Sequence, residues 1–148
     1  MTAEVSQLIT VEAAGQVAES PFYIPMTGPA TRLRRSLKHD DTFIVLDSHG
    51  DTGASAGGPD GLFNADTRYL ARLEMVLDDV QPLLLGSNLR DDNSALTVDL
   101  TNSDVYRHDR LVLQKDTLHI IRSIFLWRGT AYQRIALQNH GDRLASFD

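Results

Sequence analysis

The segment Thr117–Trp127, TLHIIRSIFLW, constrains the fold of this chain more than any other stretch of its sequence. It is rich in β-branched and aromatic residues, and apolar side chains fall on both faces of an extended chain. Such residues favour strands, and a strand with two apolar faces is typical of a sheet that is covered on both sides. The segment therefore predicts a central strand that is buried from two sides.

Two features of this strand lead to further predictions. Arg122 lies in its middle, and a buried guanidinium requires a partner, which Asp99 or Asp116 is expected to provide. Arg128-Gly129 predicts a hairpin turn into a second strand, Tyr132–Asn139, on which Ile135 and Leu137 are expected to point inward.

Other segments repeat the strand pattern with shorter lengths. Ala95–Leu100 alternates between apolar and polar residues, and Phe43–Leu46 is a short apolar run between turn residues. Arg68–Leu77 fits both a helical stripe and one face of a strand. A turn signal at Asp78-Asp79 and a candidate return strand at Pro82–Leu85 favour the strand. Several short strands separated by turns predict an all-β fold, an antiparallel β-sandwich.

The sequence divides into an arm and a domain. Residues 1–36 are interrupted by Pro21, Pro25, Gly28 and Pro29, which predicts a flexible or loosely ordered N-terminal arm. The β-sandwich domain is expected over residues 37–148, since a chain of 148 residues suits one domain.

Composition narrows the classes of function. The chain has no cysteine, which excludes thiol nucleophiles and thiolate metal sites. The net charge of −6 argues against nucleic acid and anionic lipid as partners. No run approaches the about 18 apolar residues of a membrane span. The N-terminus lacks the basic region and long apolar core of a signal peptide, so a cytoplasmic location is expected.

A short motif suggests an aspartic peptidase of the retroviral type. Asp51-Thr52-Gly53-Ala54 matches the tetrapeptide of such active-site loops, and Leu84-Leu85-Gly86 resembles the second signature. The catalytic loop must follow a buried strand directly, whereas a polar turn, Ser48–Gly50, precedes Asp51. Aspartates in loops mostly stabilise turns by accepting hydrogen bonds from backbone amides, and this role is expected of four loop residues, Asp47, Asp51, Asp60 and Asp66.

Longer stretches carry a more specific resemblance. They are LKHDDTFIVLDSHGDTGASAGGPDGLFNADTRYLARLEM, QPLLLGSNLRDDN, LTVDLTNSDVY and KDTLHIIRSIFLWRGTAYQRIALQNHGD. In this order they resemble the N-terminal domain of bacterial glycogen-debranching-type enzymes, the amylo-α-1,6-glucosidases. The resemblance implies a β-sandwich of the supersandwich type, followed in the same polypeptide by an (α/α)6 helical barrel that carries the glycosidase carboxylates.

The resemblance also implies a role for this chain. It would be the non-catalytic N-terminal domain of a glycoside hydrolase, packing on the catalytic barrel and helping to shape its α-glucan cleft. The expected partners are that barrel and an α-glucan or oligosaccharide, with no cofactor, no metal and no catalytic residue in this chain. Self-association as a homo-oligomer is a further expectation, because a domain separated from its barrel exposes an apolar face.

Five residues are candidates for contact with substrate or with a neighbouring domain. Planar groups that form several hydrogen bonds suit sugar hydroxyls, and exposed aromatic rings suit stacking on sugar rings. The competing interpretations are an internal Asp66–Arg68 ion pair and a cross-strand pair between Trp127 and Tyr132. The five candidates are Asn64, Asp66, Arg68, Arg90 and Trp127.

Two other functions stay open from sequence alone. The first is a free-standing β-sandwich module that binds carbohydrate or protein. The second is the aspartic peptidase of the retroviral type.

Overall fold

The computed structural model describes residues 33–53 and 57–147, and over these ranges it contains ten strands and no helix. Most of the predicted N-terminal arm, residues 1–36, lies outside the described residues. The strands in chain order are β1 (Arg35–His39), β2 (Thr42–Leu46), β3 (Gly61–Asn64), β4 (Thr67–Leu70), β5 (Leu83–Leu89), β6 (Ala95–Thr101), β7 (Val105–Arg107), β8 (Arg110–Leu113), β9 (Leu118–Trp127) and β10 (Thr130–Asn139).

The strands form two four-stranded sheets and a separate hairpin. The first sheet has the order β1-β2-β3-β4, the second has the order β10-β9-β6-β5, and β7 pairs with β8. Every pairing between these strands is antiparallel. The prediction of an all-β antiparallel fold is confirmed.

The hydrophobic core lies between the inner faces of the two sheets. Alternate residues of β2, β6 and β9 are buried, as expected for strands with one covered face. Complete burial of a leucine or isoleucine side chain contributes about 1.5–3 kcal/mol, so this layer is the main source of stability. The strand residues of the core are Leu37, Ile44, Leu46, Leu96, Val98, Leu100, Leu118, Ile120, Ile124 and Leu126, joined by Val105 and Leu113 of the separate hairpin.

The central strand β9 is covered on one face only. It lies between β6 and β10, and its even-numbered side chains are buried in the core. On the opposite face Phe125 is 41% exposed and Trp127 is 51% exposed. The prediction of burial from two sides is therefore wrong, because no second layer covers the outer face of this sheet among the described residues.

The predicted hairpin between β9 and β10 is confirmed. Arg128 and Gly129 form its two-residue turn with φ of 47° and 74°, and the pairing is continuous over ten residue pairs. Ile135 and Leu137 share the inner face with their β9 neighbours, as predicted, yet they are 47% and 52% exposed. They are exposed because β10 is the edge strand of its sheet.

The strand interpretation of segment 68–77 is confirmed for residues 68–70 only, and no helix forms in this segment. It contains most of β4 and then a single bridge between Leu73 and Thr52. Asp78 and Asp79 form a tight turn with φ of 47° and 63°, closed by the bridge between Leu77 and Val80. The expected return strand does not pair with this segment, because β5 pairs with β6 instead.

Candidate functional site

Four hairpin turns meet at one end of the sandwich, which we call the hairpin end. They are the β1–β2, β3–β4, β5–β6 and β9–β10 turns. The backbone amide of Lys38 donates to the carbonyl oxygen of Asn93 (3.3 Å), which joins the first turn to the β5–β6 turn. The amide of Ala65 donates to the carbonyl of Asp41 (3.2 Å), which joins the β1–β2 and β3–β4 turns.

Trp127 connects the fourth turn to this end. Its ring lies edge-on against His39, with 4.8 Å between ring centroids and an interplanar angle of 61°. The guanidinium carbon of Arg128 lies 5.5 Å from the indole centroid, within the range of a cation–π contact. These contacts hold the indole in place, and it remains 51% exposed.

Asn64, the last residue of β3, lies close to the β9–β10 turn. The buried hydroxyl of Thr42 donates to Asn64 Oδ1 (2.8 Å), which fixes the orientation of the amide. A Cβ atom added at Gly129 would lie 4.0 Å from that hydroxyl oxygen, so the β9–β10 turn is a direct neighbour. Asn64 and Trp127 are therefore brought to one end by the packing of the turns.

Asp66 and Arg68 are exposed, and no ion pair joins them in the part of the chain that the structure describes. Nη2 of Arg68 donates to the carbonyl oxygen of Gly58 (2.9 Å), and its guanidinium carbon lies 5.1 Å from the Phe63 ring centroid. The competing interpretation of an internal Asp66–Arg68 pair is wrong. Asp66 occupies the β3–β4 turn with φ of 61°, and its carboxylate faces solvent.

Arg90 lies at the β5–β6 turn of the same end. Its Nη2 is 3.3 Å from Asp92 Oδ2, and both side chains are exposed. Hydrogen bonds from the hydroxyl and then the amide of Ser94 lower the pKa of Asp92 below its ordinary value. The turn therefore presents an ionised carboxylate beside a guanidinium at neutral pH.

Two open cavities lie at the hairpin end. Both present charged groups of both signs, which can donate and accept hydrogen bonds to a polyhydroxylated ligand. The first, of about 390 Å³, is lined by Lys38, Asp40, Asp41, Phe43, Ala65 and Asp66. The second, of about 360 Å³, is lined by Asn88, Leu89, Arg90, Asp91 and Asp92.

The peptidase-like loop is a buried structural element. Asp51 is 2% exposed and accepts hydrogen bonds from the amide of Met75 (3.1 Å) and from Gln81 Nε2 (3.0 Å). It also forms an ion pair with Arg122, which is 1% exposed. A carboxylate held in this way has no surface left for a peptide substrate, so the peptidase interpretation does not fit Asp51.

The partner of Arg122 differs from the prediction. Arg122 pairs with Asp51 and not with Asp99 or Asp116. Its guanidinium also donates to the carbonyl oxygen of His49 and to Gln133 Oε1, each at 3.0 Å. Asp99 lies on the other face of its sheet and pairs with the ring of His119 instead (2.9 Å).

Two further loop aspartates have structural roles. Asp47 Oδ1 accepts hydrogen bonds from the amides of His49 (2.8 Å) and Asp51 (3.0 Å), which is the predicted turn-stabilising role. Asp60 pairs with Arg34 Nε (2.7 Å) and is nearly buried. Of the four loop aspartates, Asp66 alone keeps an exposed carboxylate.

The interpretation of a cross-strand pair between Trp127 and Tyr132 is wrong, because Tyr132 pairs with Phe125 instead. Its ring stacks on Phe125 with 4.9 Å between centroids and an interplanar angle of 10°. The register sets this pair, because Tyr132 lies directly opposite Phe125 whereas Trp127 lies opposite Thr130. Sequence reasoning missed His39 and Arg128, the neighbours of Trp127. The signal for both was their position next to predicted turns.

Two other kinds of site are absent from residues 33–53 and 57–147. In these ranges no group of three or more histidine and acidic side chains is arranged to hold a metal ion. The same residues contain no helix with the length and apolar character needed to cross a membrane.

The fold and the hairpin end define a class, an antiparallel β-sandwich domain that presents polar and aromatic residues at and beside its hairpin turns. Residues 37–148, more than half of the chain, match the family described as the N-terminal domain of some glycogen debranching enzymes, and the chain belongs to that family. No curated protein and no solved structure matches it.

Proposed function

We propose that this domain serves an α-glucan-processing glycosidase by presenting its hairpin end to the substrate cleft and packing on the catalytic domain of the same polypeptide. The observation that carries the proposal is the convergence of candidate contact residues at the hairpin end of a domain that belongs to a debranching-enzyme family.

The hairpin end has the chemistry that an oligosaccharide requires. The half-exposed indole of Trp127 offers an apolar surface for the face of a sugar ring. At the same end of the sandwich, Asn64 supplies an amide, Asp66 a carboxylate and Arg90 a guanidinium, and such groups can bind hydroxyl pairs by multiple hydrogen bonds. Asn64 and Trp127 end their strands and Asp66 and Arg90 lie in the adjoining turns, so the strands position all four groups at this end.

The outer face of the second sheet supports the packing on a catalytic domain. Phe125 and Tyr132 stack on each other on this face and are 41% and 44% exposed. Ile121 of β9 lies on the same face. Apolar and aromatic residues with a polar surround are typical of the core of a protein interface. The polar surround includes the His119–Asp99 pair.

The internal use of carboxylates favours a contributory role over hydrolysis by this domain. A glycosidase needs two carboxyl groups that face each other across the glycosidic bond, about 5–9.5 Å apart. Asp47 and Asp51 accept backbone hydrogen bonds, and Asp60 binds Arg34.

The proposal can be tested by tryptophan fluorescence, since Trp127 is the sole tryptophan of the chain. Titration with maltooligosaccharides is expected to give a saturable change in emission in the millimolar range. Asp66→Ala and Arg90→Ala should weaken this binding. Arg143→Ala, which removes the same charge as Arg90→Ala beyond the far end of β10, is the matched control and should leave it unchanged.

In the intact polypeptide that carries this domain, Trp127→Ala is expected to lower kcat/KM on branched α-glucans more than kcat. A larger effect on kcat/KM than on kcat indicates that a contact with substrate is lost. A folding defect would instead lower the amount of active enzyme and hence kcat. Unchanged emission at saturating oligosaccharide, together with unchanged kcat/KM in the Trp127→Ala enzyme, would refute the proposal.

A further inference from the structure

Within residues 33–53 and 57–147, the edge strand β10 lacks the features that protect the other sheet edges. Exposed edges pair with other chains unless they are short, bulged, charged or covered. The β4 edge has four residues and a shifted register, and the β5 edge has an irregularity between Leu84 and Gly86. The β1 edge is partly covered, because the amide of Lys38 is bonded to Asn93 of the β5–β6 turn. In contrast, β10 is ten residues long, pairs with β9 without any shift, and contains no proline, glycine or lysine.

The side chains of β10 add an apolar surface to this open edge. Ile135 and Leu137 lie on the inner face and are half exposed. They border an apolar cavity of about 250 Å³, whose other side is formed by Leu77, Pro82 and Phe147. A strand added beside β10 would cover these side chains and bond the backbone groups that now face solvent.

We propose that β10 pairs antiparallel with β10 of a second copy of this chain, with the two-fold axis at Ala136. The two second sheets then form one continuous eight-stranded sheet. The interface is isologous, so the same seven-residue stretch, 133–139, serves both copies.

The register follows from alternation and charge. Inner-face residues must oppose inner-face residues, so the axis has to pass through a residue and not between two. An axis at Arg134 would place two guanidinium groups directly opposite each other, which is destabilising. An axis at Ile135 would place Leu137 opposite the amide of Gln133. An axis at Ala136 places Ile135 of each copy opposite Leu137 of the other copy.

The remaining pairs of this register are also compatible. Arg134 lies opposite Gln138 of the other copy, and Gln133 lies opposite Asn139. The stretch contains one charged residue, Arg134, so the net charge of −6 is located elsewhere on each copy and does not oppose the pairing at close range.

The mass in solution tests the proposal first. Light scattering of the full chain over a micromolar concentration series should show a dimer of the 16.4 kDa chain. Ala136→Lys and Ala136→Glu each place like charges on the axis and should raise the dissociation constant about fivefold or more. An equimolar mixture of the two variants should restore the dimer. Thr130→Lys adds the same charge to β10 outside the paired stretch and should leave the dimer intact.

Single cysteines test the register, because the chain has none of its own. Ala136→Cys should form an intermolecular disulfide under mild oxidation, since directly opposite Cα atoms lie about 4.5–5.5 Å apart. Gln138→Cys should not, because its two copies would be separated by four residues along the strands. A monomer at all concentrations, a dimer insensitive to Ala136→Lys, or equal cross-linking of both cysteine variants would overturn the proposal. Circular dichroism of each variant separates these outcomes from unfolding.

Discussion

Substitution of Asp51 by asparagine is expected to destabilise the domain strongly. The change keeps the shape of the side chain and removes its charge. The guanidinium of Arg122, which is 1% exposed, then remains in the core without a counter-charge. Removing one partner of a buried ion pair costs about 3–5 kcal/mol, because the remaining charge stays desolvated.

This cost is large relative to the stability of a domain of this size, which is about 5–15 kcal/mol. Urea unfolding with Trp127 fluorescence measures it directly, since Trp127 is the sole tryptophan and lies on the same strand as Arg122. With a slope of about 1–3 kcal/mol per molar urea, the midpoint should fall by about 2 M. The matched control is Arg72→Gln, which removes an exposed ion pair and should leave the midpoint unchanged.

A double variant separates the ion pair from other effects of the substitution. Asp51→Asn combined with Arg122→Met removes both charges, so the double variant should be more stable than Asp51→Asn alone. Two results would show that the guanidinium does not depend on this carboxylate. One is that the losses in free energy of unfolding from Asp51→Asn and Arg122→Met are strictly additive, and the other is a loss below about 1 kcal/mol for Asp51→Asn.

Three further predictions concern the turns and loops. Gly53→Ala should cost about 3 kcal/mol in urea unfolding, because φ is +85° and the new Cβ would lie 2.3 Å from the carbonyl oxygen of Ala71. Asn102→Ala should cost about 3 kcal/mol by the same measurement, since it removes three hydrogen bonds from a fully buried amide. Ser94→Ala should raise the pKa of Asp92, measured by NMR titration, because the Ser94 hydroxyl is the main cause that lowers it. The lowered pKa implies a contribution to stability that is present above the ordinary aspartate pKa and lost as pH falls through the lowered value, and Ser94→Ala should reduce this dependence.

The sequence predicts local elements well where short-range chemistry decides the outcome. The β9–β10 hairpin follows from Arg128-Gly129, because a two-residue turn with positive φ at both positions favours glycine and sets the register of both strands. The turn at Asp78-Asp79 also forms as predicted, although segment 68–77 before it is a strand only up to Leu70.

Tertiary partners could not be predicted in the same way. Alternation places Arg122 on the inner face of β9, but the identity of its partner depends on which loop reaches that face. Asp51 does so across 71 residues of sequence, whereas the nearer Asp99 is on the outer face. The exposure of Phe125 could not be predicted either. The sequence shows that the residue is apolar, but it does not show whether another layer covers it.

The sequence suggests candidate contact residues by their type, but it does not place them relative to one another. Turn positions and an aromatic residue suggested Asn64, Asp66 and Trp127, and the convergence of four turns at one end explains why they lie near each other. The pairing of Arg68 with Gly58 and Phe63 depends on the path of the glycine-rich loop, which the sequence leaves undetermined.

The long-range pair between Asp51 and Arg122 has a kinetic consequence. The hairpins close over a few residues and form rapidly, whereas this contact must close a loop of 71 residues. We therefore expect the contact to form late in folding, after the transition state. Its loss should accelerate unfolding and leave the refolding rate almost unchanged, so the pair mainly lengthens the lifetime of the native domain.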